Sequence, residues 1–211
     1  MSRSAHHDHP DSEYAARVFK HLRHLAIELK QLGIHVVLVF VDDKCSAKCG
    51  EPGDAVAATE RNKRVITNAA MAAIASMHDF AKFKINPSVL LLADIPDDIN
   101  LSFYRGQVYV LVKDAVFQPS TPLRHSTEMR KALQHAGLHR QTEVLLVYSD
   151  GGPDHNVKFV TVWLAHILLF LACDLDFLIA ARTCPQQSWR NCVEKIMSIL
   201  NLAMYGVAFS W

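Results

Sequence analysis

Three carboxylates fall where a sheet would present them. Asp42 closes the apolar run HVVLVFV, Asp150 follows the run VLLVYS, and Glu194 lies in NCVEKIMSIL. Carboxylates held on rigid elements suit hard divalent cations, since Mg²⁺ takes oxygen ligands and keeps several waters. A pair of such ions roughly 3.5–4 Å apart can activate an attacking hydroxyl and stabilise the leaving 3′ oxygen of a phosphodiester during in-line displacement. Asp43 follows Asp42 directly, and on a strand that continues through both the two point to opposite faces. Each acid also has a plainer explanation. A strand-end Asp is commonly a turn former, and a Glu in a first helical turn suits the helix dipole.

The elements that must position these residues can be read from apolar periodicity. The opening MSRSAHHDHPDSE is polar and reads as a disordered tail over residues 1–13. Its His6, His7 and His9 form no more than a weak metal-binding tract. Apolar residues at helical spacing from Tyr14 to Leu32 predict a leading helix over 14–33, stopped by Gly33. His35 to Val41 is β-branched and nearly continuous, as a strand covered on both faces should be. A Gly-, Pro- and charge-rich excursion follows. Val89 to Ile95, bounded by Pro87 and Pro96, and Gln107 to Val112 then give two more strands. STPLRHSTEMRKALQHAG reads as a capped helix. Beyond it come a strand over Val144 to Tyr148, a helix from about Asn156 to Ala172, a strand over Phe177 to Ala181 and a last helix from about Asn191 to Tyr205. Three strands followed by helix, strand, helix, strand, helix imply a mixed sheet with early antiparallel pairing and later parallel additions.

Bulk properties bound the function. The 211 residues suffice for one well-packed core, here 34–206. A formal charge of +1 excludes the strongly basic balance that by itself announces nucleic-acid binding, so any such contact must come from local patches. The apolar stretch Phe159 to Ala181 is interrupted by His166, Asp174 and Asp176 and reads as a buried helix and strand rather than a membrane span. Five cysteines form an odd set without a CxxC pair, which fits a reduced compartment and argues against a zinc site built from Cys45, Cys49 and His78.

The residues around the acids resemble the DDE transposases of the mariner type and the related integrase cores. Asp150 sits in DGGPDH, similar to the family's D-x-x-P-x-H block, with Pro153 and His155 in register. Glu194 sits in NCVEKIMSIL, similar to N-P-[IV]-E, with Asn191 matching the Asn. VDDK at Asp42 is much like the first acidic motif. Cys192 stands where the family usually has Pro, and Gly151 replaces a common Asn; neither change removes a ligand. The likeness covers the chain from about His35 to Tyr205.

What the resemblance implies is a ribonuclease H-like α/β fold, a mixed five-stranded sheet flanked by helices. It also implies a DDE-type polynucleotidyl transferase or endonuclease that cleaves and joins DNA strands with two Mg²⁺ or Mn²⁺ ions. Asp42, Asp150 and Glu194 would be catalytic residues and metal ligands. Asp42 is preferred to Asp43 on its likeness to the family's motif, and Asp43, His155 and Asn191 stand in second rank. Lys44, Arg182, Trp189, Arg190 and Lys195 are candidate nucleic-acid contacts, Trp189 as a base-stacking platform and the cations as phosphate contacts, with Lys48, Arg61, Lys63 and Arg64 on the other side. Their ordinary alternatives are solvated surface cations and a packed Trp. The expected partners are DNA and a second copy in a homodimer, with no membrane, no small-molecule cofactor and an intracellular, nuclear if eukaryotic, location. Family members carry a helix-turn-helix domain before the core, so this chain reads as a fragment or decayed copy. An alternative is a host-retained DNA- or protein-binding module without catalysis, and a third reading is a ribonuclease or structure-selective nuclease on the same fold.

Overall fold

The computed structural model describes residues 9–43, 47–49, 56–57, 74–75, 83–114, 117, 119–152, 154–185 and 187–203. Lys44, Cys45, Arg61, Lys63, Arg64, His78 and Pro153 lie outside them, as do the side chains of Lys48 and Cys49. In chain order the elements are α1 (Ser12–Gln31), β1 (Val36–Asp43), β2 (Ala47–Cys49), β3 (Val56–Ala57), β4 (Ile74–Ala75), β5 (Phe83–Ala93), β6 (Gly106–Asp114), α2 (Pro122–His135), β7 (Val144–Ser149), α3 (Val160–Cys173), β8 (Phe177–Arg182) and α4 (Val193–Ala203). The chain divides into two compact units. The first comprises Met1–Asp42, Val89–Tyr109 and Thr121–Glu194; the second comprises Asp43–Ser88, Val110–Ser120 and Lys195–Trp211.

The first unit holds the core. β5, β1, β7 and β8 lie side by side in that order, and β6 pairs with β5. β1, β7 and β8 run parallel. β7 is buried at every position and β1 at six of its eight, which is why both read as unbroken apolar runs: a strand covered on both faces has no polar side to alternate with. On one face Phe19 of α1 packs on Phe40 and Tyr148, with ring centroids 6.2 and 4.5 Å away. α1 is also tied to the loop after β5. Arg23 donates to the Ile99 carbonyl and lies over the Phe103 ring, while Lys30 donates to the Ile95 carbonyl and pairs with Asp97.

Helix ends follow local chemistry. Gly33 takes φ 79° after α1, where a left-handed residue lets Ile34 N–H reach back to the Leu29 carbonyl. Thr121 caps α2 by accepting from Arg124 N–H, with Pro122 at the first helical position. α3 begins at Val160, four residues later than the apolar pattern predicts. Asn156 Oδ1 accepts from Lys158 N–H and the Asn156 carbonyl accepts from Phe159 N–H, so the segment folds as a turn first. β5 likewise departs from expectation by running straight through Pro87, which cannot donate to a ladder but is tolerated where none is drawn from it.

In the second unit β2 pairs antiparallel with the first residues of β5, so the sheet carries a short sixth strand beyond the five expected, and β3 and β4 form a separate parallel pair. Fully buried Lys113 pairs with Asp43 at 2.9 Å and donates to Ser120 Oγ, and Ser120 in turn donates to Asp43.

Burial pushes the Tyr148 hydroxyl up to about 12, with Arg190 partly opposing and Cys192 and Cys184 adding to the rise. The folded state thus holds this proton more tightly than the unfolded chain. Its contribution is fully present below about pH 10 and is lost as pH rises towards about 12, an effect on the order of 2–3 kcal/mol. Ultraviolet titration of the five tyrosines should show Tyr148 ionising last, together with unfolding, and its absence from the spectrum of a Tyr148→Phe variant would assign it.

Candidate active site

β1 and β7 lie in parallel register with Phe40 opposite Tyr148 and Val41 opposite Ser149. Side chains alternate between faces, so Asp42 shares the face of Phe40, and Asp150 directly follows Ser149, the partner of Val41. Asp42 is buried at 5 % exposure and Asp150 is half-buried. Asp150 is fixed by its backbone and its carboxylate together. Its carbonyl accepts from Thr183 Oγ1 at 2.8 Å and its Oδ1 accepts from Gly152 N–H at 2.9 Å. Gly151, at φ 77°, makes the turn, and a Cβ there would come within 2.8 Å of Arg182 Cδ.

Asn191 ties the segment of Glu194 to the end of β1. Its Nδ2 donates to the Val41 carbonyl at 3.0 Å in a buried bond, one residue before Asp42. Its own carbonyl accepts from Glu194 N–H at 3.2 Å, and its Oδ1 accepts from Val193 N–H at 3.4 Å. One side chain therefore ties the first turn of α4 to the end of β1. Glu194 is half-buried there. Asp42, Asp150 and Glu194 offer carboxylate oxygens as donors. That donor set fits a hard divalent cation.

Loss of the Asn191 amide leaves a buried carbonyl without this donor. Asn191→Ala is expected to cost about 1–3 kcal/mol in a thermal or denaturant melt, and Asn191→Asp to replace the donor by an acceptor facing that carbonyl with at least the same penalty. A melt unchanged in both variants would remove this residue from the account.

The remaining sequence-derived candidates separate. Asp43 belongs to the Lys113 and Ser120 cluster of the second unit, and the alternation of β1 turns it away from the side Asp42 takes. His155 is buried and its ring packs 4.2 Å from that of His125 in α2. His125 in turn lies 3.6 Å from Glu128 and 4.0 Å from Asp154. Sequence reading singled out His155 but not His125 or Glu128, whose three-residue spacing on one helical face was their only signal. Arg182, in register with Ser149, is half-buried beside Gly151. Trp189 is 67 % exposed, with the Arg190 guanidinium 5.1 Å from its ring centroid, and Lys195 is exposed. Cys173, Cys184 and Cys192 are buried free thiols, and burial raises Cys173 above the ordinary thiol range. A cavity of about 410 Å³, lined by Lys30, His35, Asp94 and Gln107 among others, opens at the opposite end of β1 from Asp42.

The strand order and the helices flanking the sheet are consistent with a ribonuclease H-like α/β fold. Among solved structures the chain is similar to the mariner transposase Mos1. The Mos1 paired-end complex with left transposon end matches all of this chain and 54 % of the other, at 13 % identity and a TM-score of 0.50. The Mos1 mariner paired-end complex with Mn matches at 15 % identity and a TM-score of 0.49, again over all of this chain and 54 % of the other. At such identity the likeness is one of fold, and the chain spans about half the length of the solved chains it matches. No family model matches the sequence, and no curated protein matches it. No helix among the described residues is long and apolar enough to cross a membrane.

Proposed function

We propose that this chain is the catalytic core of a DDE-type enzyme that cleaves DNA strands and transfers their ends, with residues 34–206 as the core and Asp42, Asp150 and Glu194 as its metal ligands. The observation that carries the reading is the Asn191 bond to the Val41 carbonyl, which joins the segment of Glu194 to that of Asp42 beside the Asp150 turn. The fold shared with a transposase bound to a transposon end supports DNA as the substrate class.

Divalent Mg²⁺ or Mn²⁺ ions held by the three carboxylates would supply a Lewis acid for the phosphoryl oxygens and a more acidic attacking hydroxyl. The chain's own residues do the positioning. Gly152 N–H orients the Asp150 carboxylate, Thr183 fixes the backbone that carries it, and Asn191 holds the turn that carries Glu194. Arg182 and Arg190 offer cations to phosphates near the acids, and exposed Trp189 offers a face on which a base can stack. Asp43, the second-rank candidate for the first ligand, is paired with buried Lys113.

The test is cleavage of end-labelled duplex DNA, hairpin DNA and an RNA–DNA hybrid by the full chain with Mg²⁺, with Mn²⁺ and with neither. Metal-dependent nicking of DNA is expected. Cleavage confined to the hybrid would make it a ribonuclease, and DNA binding without cleavage under either metal would make it a binding module.

A further inference from the structure

The segment that carries Asp150 is held in two places. Thr183 fixes the backbone at Asp150 itself, and a second tie runs through His155 to α2. Asp150 Oδ1 accepts from Gly152 N–H, and the Gly152 carbonyl accepts from His155 N–H, each at 2.9 Å. Two hydrogen bonds thus pass the placement of His155 on to the carboxylate. The buried His155 ring lies 4.2 Å, centroid to centroid, from the ring of His125, with 43° between the planes. His125 Nε2 lies 4.0 Å from Asp154 Oδ2, so one α2 side chain meets two adjacent residues of this segment.

His125 is in turn held by its own helix. α2 buries His125, Glu128, Met129 and Ala132 on one face, at spacings of three and four residues. Glu128, 3 % exposed, stands 3.6 Å from His125 Nδ1 and accepts from Arg124 Nε at 3.1 Å. A buried carboxylate and imidazole are a costly way to fill a helix face, since apolar side chains of similar volume are often as stabilising or more. Position is what this pair provides in addition. His155 also borders a cavity of about 40 Å³, lined by Ser149, His166 and Arg182 among others. Close packing is what normally locks a ring, and where it is incomplete the remaining contacts decide its place. We infer that His125 is a positioning residue for the Asp150 carboxylate: its imidazole, anchored by Glu128, is the platform that holds His155 and, through Gly152, the carboxylate. The inference rests on the reading of Asp150 as a metal ligand.

The test compares His125→Ala with His125→Phe in the full chain; the second keeps a ring against His155 but offers nothing to Glu128. Both variants should melt below the parent. Only His125→Ala should release the turn: Gly152 N–H exchange, followed by nuclear magnetic resonance, is expected to be about 10-fold faster or more. Single-turnover nicking of duplex DNA should slow about 10–100-fold, as when the partner that orients a metal ligand is lost, with the DNA concentration for half-maximal rate unchanged. His125→Phe should stay within a few-fold of the parent in both. His155→Ala should behave as His125→Ala does, and the double variant should be no slower than the slower single, because the two act in one chain of contacts. Parent-like Gly152 exchange in His125→Ala overturns the inference, as does a His125→Phe that loses as much as His125→Ala, or losses that multiply in the double variant. Exchange is measured whether or not the chain cuts DNA, so a failure of this inference is distinguished from a failure of the proposed function, which a parent without metal-dependent cleavage would show.

Discussion

Asp150→Asn should abolish metal-dependent strand cleavage while leaving the fold intact. The substitution keeps the size of the side chain, the acceptor oxygen that takes the Gly152 N–H and the backbone carbonyl bound by Thr183, so the turn has no reason to rearrange. What it removes is one negative charge and one strong oxygen donor at the point where a divalent cation needs both. Removing a single preorganised group that stabilises developing charge commonly costs on the order of 10²–10³ in rate, and a lost ligand should cost at least that. Single-turnover nicking of a labelled duplex, with a melting curve run beside it, is the measurement. Cleavage within a few-fold of the parent would mean that Asp150 is a turn residue and nothing more.

Gly106→Ala is expected to produce the largest loss of stability. Gly106 opens β6 at φ 143°, a conformation that side chains rarely adopt, and a Cβ there would lie 2.0 Å from the Leu92 carbonyl oxygen and 2.9 Å from Ala93 Cα. Both neighbours are backbone atoms of β5 and cannot swing aside as a flexible side chain could. Relief would require breaking the pairing where Asp94 N–H meets the Arg105 carbonyl. A cost of about 4 kcal/mol or more is expected, a large share of the ~5–15 kcal/mol that holds a domain folded. Soluble yield and the melting temperature read it out, and a variant melting within a few degrees of the parent would contradict the close approach. Gly33→Ala has the same positive φ but open space around the new methyl, so its penalty should be the smaller one of backbone strain alone.

Much of the fold is legible in the residues because burial on both faces leaves a plain trace. VVLVFV and VLLVYS read as central strands since all but the first position of the former and every position of the latter are buried, and Gly33 and Gly137 mark helix ends because both need positive φ. Where a local polar contact competes with apolar pattern the reading slips. Asn156 turns the chain before α3 can start, and Pro87 looks like a boundary although β5 passes through it.

The candidate site is legible as a set of residue types but not as an arrangement. Nothing local in the sequence says that Val41 pairs with Ser149, or that Asn191 reaches a carbonyl 150 positions earlier, since both depend on how distant segments assemble. The relation between Asp42 and Asp43 is of the same kind: alternation predicts opposite faces, but the pairing of Asp43 with buried Lys113, in a run that reads simply as a strand, has no local signal. His155 matched a motif by spacing, while its neighbour His125 lies 30 residues earlier on another element and gave no comparable signal.

The most direct test of the central claim is Mn²⁺ titration by calorimetry of the full chain and of Asp42→Asn, each shown by its melt to be folded. Saturable binding by the parent and its loss in Asp42→Asn are expected; Mn²⁺ binding unchanged in that variant, or no binding by the parent, would rule Asp42 out as a metal ligand.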